Sequence, residues 1–123
     1  MVDHAVREFD VRAGDDLLRG WRADVPADLP PLLLCPGLGS LPGPWRELPV
    51  STLSWRARDS LTAGVTRHVD DALAVLDAAG VKTCAVAGWS AGTAVAAELA
   101  RRCPDRVRGL VLVGGIPGSS ADS

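Results

Sequence analysis

Gly88-Trp89-Ser90-Ala91-Gly92 constrains this chain more than any other stretch. It stands between an apolar run, Cys84-Ala85-Val86-Ala87, and an alanine-rich helical stretch that starts at Thr93. A serine centred in Gly-x-Ser-x-Gly, on a turn from strand to helix, is the nucleophile-elbow pattern. So sharp a turn brings neighbouring backbone too close for side chains at the two glycine positions. The serine oxygen is then exposed beside the free N–H groups of the helix it precedes. Those donors suit an oxyanion formed when Ser90 attacks a carbonyl. A plain loop with two glycines and a serine cap is the competing explanation, and the strand before and helix after argue against it.

A serine is a poor nucleophile without a base, usually a histidine held by a carboxylate. In the elbow arrangement the chain order is Ser, then Asp or Glu, then His. No histidine follows Ser90 here; the histidines are His4 and His68, both upstream. His68 falls near the start of a predicted helix beside Arg67, which makes it a solvated surface residue. His4 belongs to a mobile terminus. Asp105 follows a helix stop and turns the chain, and Asp122 lies in the tail. None of these is a fixed triad partner.

A chain of 123 residues, 47% apolar and 23% charged, holds one globular core. A formal charge of −2 gives no basic surplus, which argues against nucleic acid and acidic membranes as partners. No apolar run approaches the ~20 residues of a membrane span. Residues 1–10 are charged early and lack the apolar centre of a signal peptide. Cys35, Cys84 and Cys103 show no metal-type spacing and suit a reducing cytoplasm. No cofactor or metal is expected. The excess of arginine over lysine and the lack of tyrosine fit a GC-rich genome better than a function.

Along the chain, Val6 to Val11 alternates with Phe9 and Val11 on one face, and Leu17 to Ala23 returns after a turn at Gly14, a β-hairpin. Leu32-Leu33-Leu34-Cys35 is a short strand buried on both faces. A further strand is expected near Val50 to Trp55. Val65, Val69, Leu73, Leu76 and Ala79 recur at helical spacing, with Arg67, Asp70, Asp71 and Asp77 on other sides and Gly80 as the stop. Strand Cys84 to Ala87 precedes the elbow, a helix runs to about Arg102, and Pro104 ends it. Val107 to Val113 reads as another buried strand. Strands alternating with helices imply parallel pairing in an α/β architecture.

Pro36-Gly37-Leu38-Gly39-Ser40 leaves the first buried strand where a second oxyanion donor is usually found. The Leu38 and Ala91 N–H groups would face each other across the pocket. Taken alone, the segment is a plain turn. It also invites a dinucleotide-binding alternative through Gly37-x-Gly39. The third glycine, Gly43, is one position late, Pro42 and Pro44 disturb the helix start, and Asp59 only roughly fits a ribose-binding acid. Trp21, Trp45 and Trp55 are core or pocket wall, and Trp89 lies by the site entrance.

Taken together these residues resemble the α/β-hydrolase superfamily. The resemblance rests on the hairpin, Leu32 to Ser40, Val69 to Leu76, Val86 to Gly92, Pro104-Asp105-Arg106-Val107 and Leu110 to Val113. It implies Ser90 as catalytic nucleophile, Leu38 and Ala91 as the oxyanion hole, and Gly88, Trp89 and Gly92 as the elbow. The chain departs from the family with Pro36-Gly37 where His-Gly is common, and at Trp55-Arg56-Ala57-Arg58-Asp59 where an acid followed by Arg-Gly is usual. It stops after what would be the sixth strand, before the strands that carry the acid and histidine. The expected fold is therefore a partial α/β-hydrolase: an N-terminal hairpin, then parallel strands with helices on both faces, as one incomplete domain over 1–117 and a flexible tail over 118–123. The expected function is a serine hydrolase of esterase or lipase type, inactive as this chain alone. The alternatives are a non-catalytic binding module of the same fold and, last, a nucleotide-binding domain. Expected partners are a small acyl or ester ligand and either a complementary C-terminal half or a second copy.

Overall fold

A computed structural model describes residues 6–25, 29–36, 50–56, 64–89 and 91–113. In chain order the elements are β1 (Arg7–Ala13), β2 (Asp16–Ala23), β3 (Leu32–Cys35), β4 (Thr52–Trp55), α1 (Gly64–Ala79), β5 (Cys84–Trp89), α2 (Gly92–Arg102) and β6 (Val107–Val113), with a 3-10 turn at Pro104–Arg106. They form a single sheet in the order β1-β2-β4-β3-β5-β6. Strands β1, β2 and β4 pair antiparallel, and β4, β3, β5 and β6 pair parallel. This is the α/β architecture that the alternating elements imply.

The hairpin closes with Ala13 opposite Asp16, and Gly14 takes φ +64 in the turn, a conformation that favours glycine. Arg67 of α1 reaches that turn, donating to the Ala13 carbonyl at 3.2 Å and to Asp16 at 2.5 Å. Helix α1 stops where expected. Gly80 has φ +72, its N–H bonds the Asp77 carbonyl at 3.1 Å, and the Val81 N–H reaches back to Leu76 at 2.9 Å. That pair of bonds is a Schellman motif, which satisfies carbonyls the helix would otherwise leave open.

One face of the sheet supplies Val11, Leu33, Cys35, Leu53, Trp55, Cys84 and Val86 to the core. Against them α1 lays Val69, Ala72, Val75 and Leu76, and α2 lays Val95, Ala96 and Leu99. Each fully buried Leu or Val adds about 1.5–3 kcal/mol relative to exposure. Both helices cover this one face, and Arg102 of α2 ties them together through Asp70 of α1 at 3.1 Å. The other face is also buried in the central strands, at Leu34, Thr52 and Ser54.

Three expectations need correction. His68 is not a solvated residue: it is 6% exposed and has its own partner. Asp71 is likewise fully buried, while Val65 is 40% exposed, so the inward stripe of α1 is rotated from the one the apolar spacing indicates. At Asp71 the reason is the hairpin, whose turn Arg67 reaches while its guanidinium also lies 3.8 Å from Asp71. Finally, β6 is not buried. It is the edge of the sheet, and Leu110, Val111 and Leu112 are 42%, 56% and 48% exposed. Its register slips at the start, where Cys84 faces Val107 but Ala85 faces Gly109, leaving Arg108 as an extra residue in a bulge.

Candidate active site at the ends of β3 and β5

The order of strands locates a crevice before any side chain is considered. The chain leaves β3 toward β4 on one side, and leaves β5 toward β6 on the other. In open α/β sheets, ligands bind outside the carboxyl ends of strands at such a switch point. Here those ends are Cys35-Pro36 and Gly88-Trp89.

The glycines explain how closely the pieces meet. A Cβ on Gly88 would stand 2.4 Å from the Gly92 carbonyl oxygen and 3.0 Å from the Ala96 methyl. A Cβ on Gly92 would stand 2.0 Å from the Cys35 carbonyl oxygen and 2.9 Å from that of Pro36. Neither glycine has positive φ, so their role is space and not backbone conformation. The first turn of α2 is thereby pressed onto both the end of β5 and the end of β3. Ala91 caps the helix at φ −62, ψ −24 and offers no side-chain acceptor to its first N–H groups. The positive end of the helix dipole therefore sits at the switch point.

The structure brings together Gly88, Ala91 and Gly92, with the backbone of Trp89, as the spacing requires. Ser90 and Leu38 lie outside the described residues, as do His4, Gly37, Gly39, Gly43, Trp45, Asp59 and Asp122. That Gly92 accommodates the Cys35 and Pro36 carbonyls is not legible from residue spacing, since such a contact depends on the strand order. Cys35 and Cys84 are free and fully buried. Burial pushes the Cys35 thiol far above its ordinary range. Burial also pushes Cys84 up to about 11, against the opposing charge of Arg106. Both remain protonated at neutral pH and are poor nucleophiles. Among the described residues no group of His, Cys, Asp and Glu could hold a metal ion. Nor is any described helix long and apolar enough to cross a membrane.

Residues 30–123 match the sequence profile of the alpha/beta hydrolase fold. The chain belongs to the α/β-hydrolase family. Within it, RutD of Azorhizobium caulinodans, a protein assigned as a carbamate hydrolase, is 35% identical over 99 residues, covering 69% of this chain and 37% of that protein. A bacterial membrane phospholipase A superposes with a TM-score of 0.75 at 23% identity, over 90% of this chain and 40% of its own. Epoxide hydrolase A from Mycobacterium thermoresistibile gives 0.72 at 23% identity, over 88% and 39%. The 2-hydroxy-6-oxo-6-phenylhexa-2,4-dienoate hydrolase of a Rhodococcus species gives 0.72 at 16% identity, over 92% and 47%. The chain thus spans less than half the length of each of these relatives. At such identities the structural likenesses establish the fold and leave the chemistry to the site.

Proposed function

We propose that this chain carries the nucleophile portion of a serine hydrolase site acting on a carboxylic ester or similar acyl bond. Ser90 adds to the carbonyl carbon, and the carbonyl oxygen becomes an oxyanion between the N–H groups of Ala91 and Leu38. Esters and carbamates share the planar acyl carbon this requires. The observation that carries the proposal is the contact of Gly92 with the Cys35 and Pro36 carbonyls. It supports the proposal because it brings the N-terminal end of α2 beside the end of β3. Donors that are fixed before a reaction cost no reorganisation when charge develops.

No residue after Ser90 is a histidine, and His68 is enclosed in α1. A general base is therefore supplied from outside these residues, and the chain alone has little or no esterase activity. An oxyanion hole with binding alone gives roughly 10³–10⁴ over water. A chromogenic acetate ester should show turnover by the isolated chain no greater than by Ser90→Ala. A clear rate that is lost in the mutant would overturn the missing base. The nucleophile itself is tested by stoichiometric reaction with a fluorophosphonate and mapping of the adduct, expected on Ser90. A non-catalytic binding module is the second reading, and an unreactive Ser90 would select it. The free thiols fit a reducing cytoplasm.

A further inference from the structure

Ser54 lies inside β4, is fully buried, and occupies a position where a valine would serve a strand better. Its neighbour on the same face, Thr52, is also buried, but its hydroxyl has no partner among the described residues. The Ser54 hydroxyl does have one: it donates to the Leu34 carbonyl at 2.9 Å. That bond falls where the strands part. The β3–β4 register pairs Leu32 with Thr52 and Leu33 with Leu53 and goes no further, although β3 runs to Cys35 and β4 to Trp55. A carbonyl released from the ladder in a buried place must find another donor, and Ser54 supplies it. The next carbonyls along β3, those of Cys35 and Pro36, are the ones against which Gly92 is packed.

We infer that Ser54 is a positioning residue for the carboxyl end of β3, against which α2 packs. It anchors the last turn of backbone in β3 from the β4 side while α2 presses on it from the β5 side. The role in reactivity rests on the function proposed above, whereas the anchoring of β3 does not. Ser54 touches no reacting atom; it acts only through the backbone that follows Leu34.

The test compares Ser54→Ala, Ser54→Thr, which retains a hydroxyl, and Thr52→Val, which removes a hydroxyl that makes no bond. Amide resonances of Ala91 and Gly92 report the site from across β3, and those of Val11 and Gly20 report the distant hairpin. Ser54→Ala should shift the first pair and leave the second in place. It should also slow fluorophosphonate labelling of Ser90 about fivefold, in line with one lost buried hydrogen bond. Ser54→Thr should restore both, and Thr52→Val should change neither. Equal movement of all four resonances would make Ser54 a general stability residue and overturn the inference. So would unchanged Ala91 and Gly92 signals, or a Thr52→Val effect as large as that of Ser54→Ala. If Ser90 of the unmodified chain does not react at all, the nucleophile assignment fails. The resonances alone then decide whether Ser54 holds β3 in place.

Discussion

The two ends of the sheet are built by opposite means. At the hairpin end, β1 exposes Arg7, Glu8, Asp10 and Arg12, and Arg19 of β2 pairs with Glu8 at 2.6 Å and Asp10 at 3.8 Å. Charge along an open edge discourages another strand from adding to it. At the other end, β6 exposes Leu110, Val111 and Leu112, with only the bulged Arg108 guarding its start. The glycines divide in the same way. Gly20 of the hairpin makes room for a side chain, since its missing Cβ would lie 2.8 Å from the Phe9 ring. Gly88 and Gly92 make room for backbone. The hairpin end is finished by side chains that can adjust, and the end where β5 meets α2 is fixed by main chain that cannot.

Alanine at each glycine measures that difference, and the largest effect belongs to Gly92. Its Cβ would meet the Cys35 carbonyl oxygen at 2.0 Å, so either α2 or β3 must move. Gly92→Ala should cost about 3 kcal/mol or more, and Gly88→Ala nearly as much. Gly20→Ala meets a ring that can swing aside and should cost about 1 kcal/mol. Gly109 of β6 has nothing within 4 Å of its missing Cβ, and Gly109→Ala should stabilise by about 0.5 kcal/mol. Urea denaturation of the series gives the ranking. A Gly92→Ala cost no greater than that of Gly20→Ala would break the contrast between the two ends.

The sequence carries the local part of this arrangement. The hairpin, β4 and the stop of α1 at Gly80 are signalled by alternation and by residues with special backbone freedom. So is the pair Gly88 and Gly92, because their spacing belongs to one turn. What is set by strand order is not carried by local pattern, and only the family resemblance implies an uncovered outer edge along Val107 to Val113. The run Leu110 to Val113 has the composition of a buried strand, and only its place at the end of the sheet exposes it. His68 and Asp71 look outward by polarity, and the hairpin that Arg67 links to Asp71 lies fifty or so positions away. Ser54 was missed although a serine between Leu53 and Trp55 in a strand was a visible oddity.

The unguarded edge should show itself in solution as association that grows with protein concentration. Apolar edge strands template pairing with other chains. Val111→Lys places a charge in the middle of β6 and should lower the weight-average mass seen in sedimentation. Asp10→Val makes the reverse change on β1 and should raise it. A monomer at ~100 μM, within the range where exposed edges associate, would show that the β6 edge is covered.

Alkali should act on the central strands. The Cys84 thiol is raised from 9.0 to about 11, chiefly by burial. A folded-state value above the unfolded one means stability that is complete below pH 9.0 and is lost as the pH rises through 11. The loss should reach about 2 kcal/mol at the upper end. Cys84→Val, which keeps the volume and cannot ionise, should remove that part of the alkaline decline.

Acid should act on the hairpin end, and least of all. Asp24 follows β2 and accepts hydrogen bonds from Arg7 and Arg22. Partial burial pulls its pKa upward, but the two arginines outweigh this and hold it below the ordinary 3.8. A lowered folded-state value means stability present above 3.8 and lost as the pH falls through the folded value. Asp24 is 44% exposed and Arg7 66%, so solvent and salt screen most of the attraction. The contribution at neutral pH should stay under about 1 kcal/mol. Asp24→Asn should therefore melt slightly below the unmodified chain at pH 7 and level with it near pH 2, with the gap narrowing in high salt. A gap that widened on acidification would mean that Asp24 is held by burial and not by its arginines. The hairpin end would then depend on fixed packing as much as the junction of β5 and α2 does.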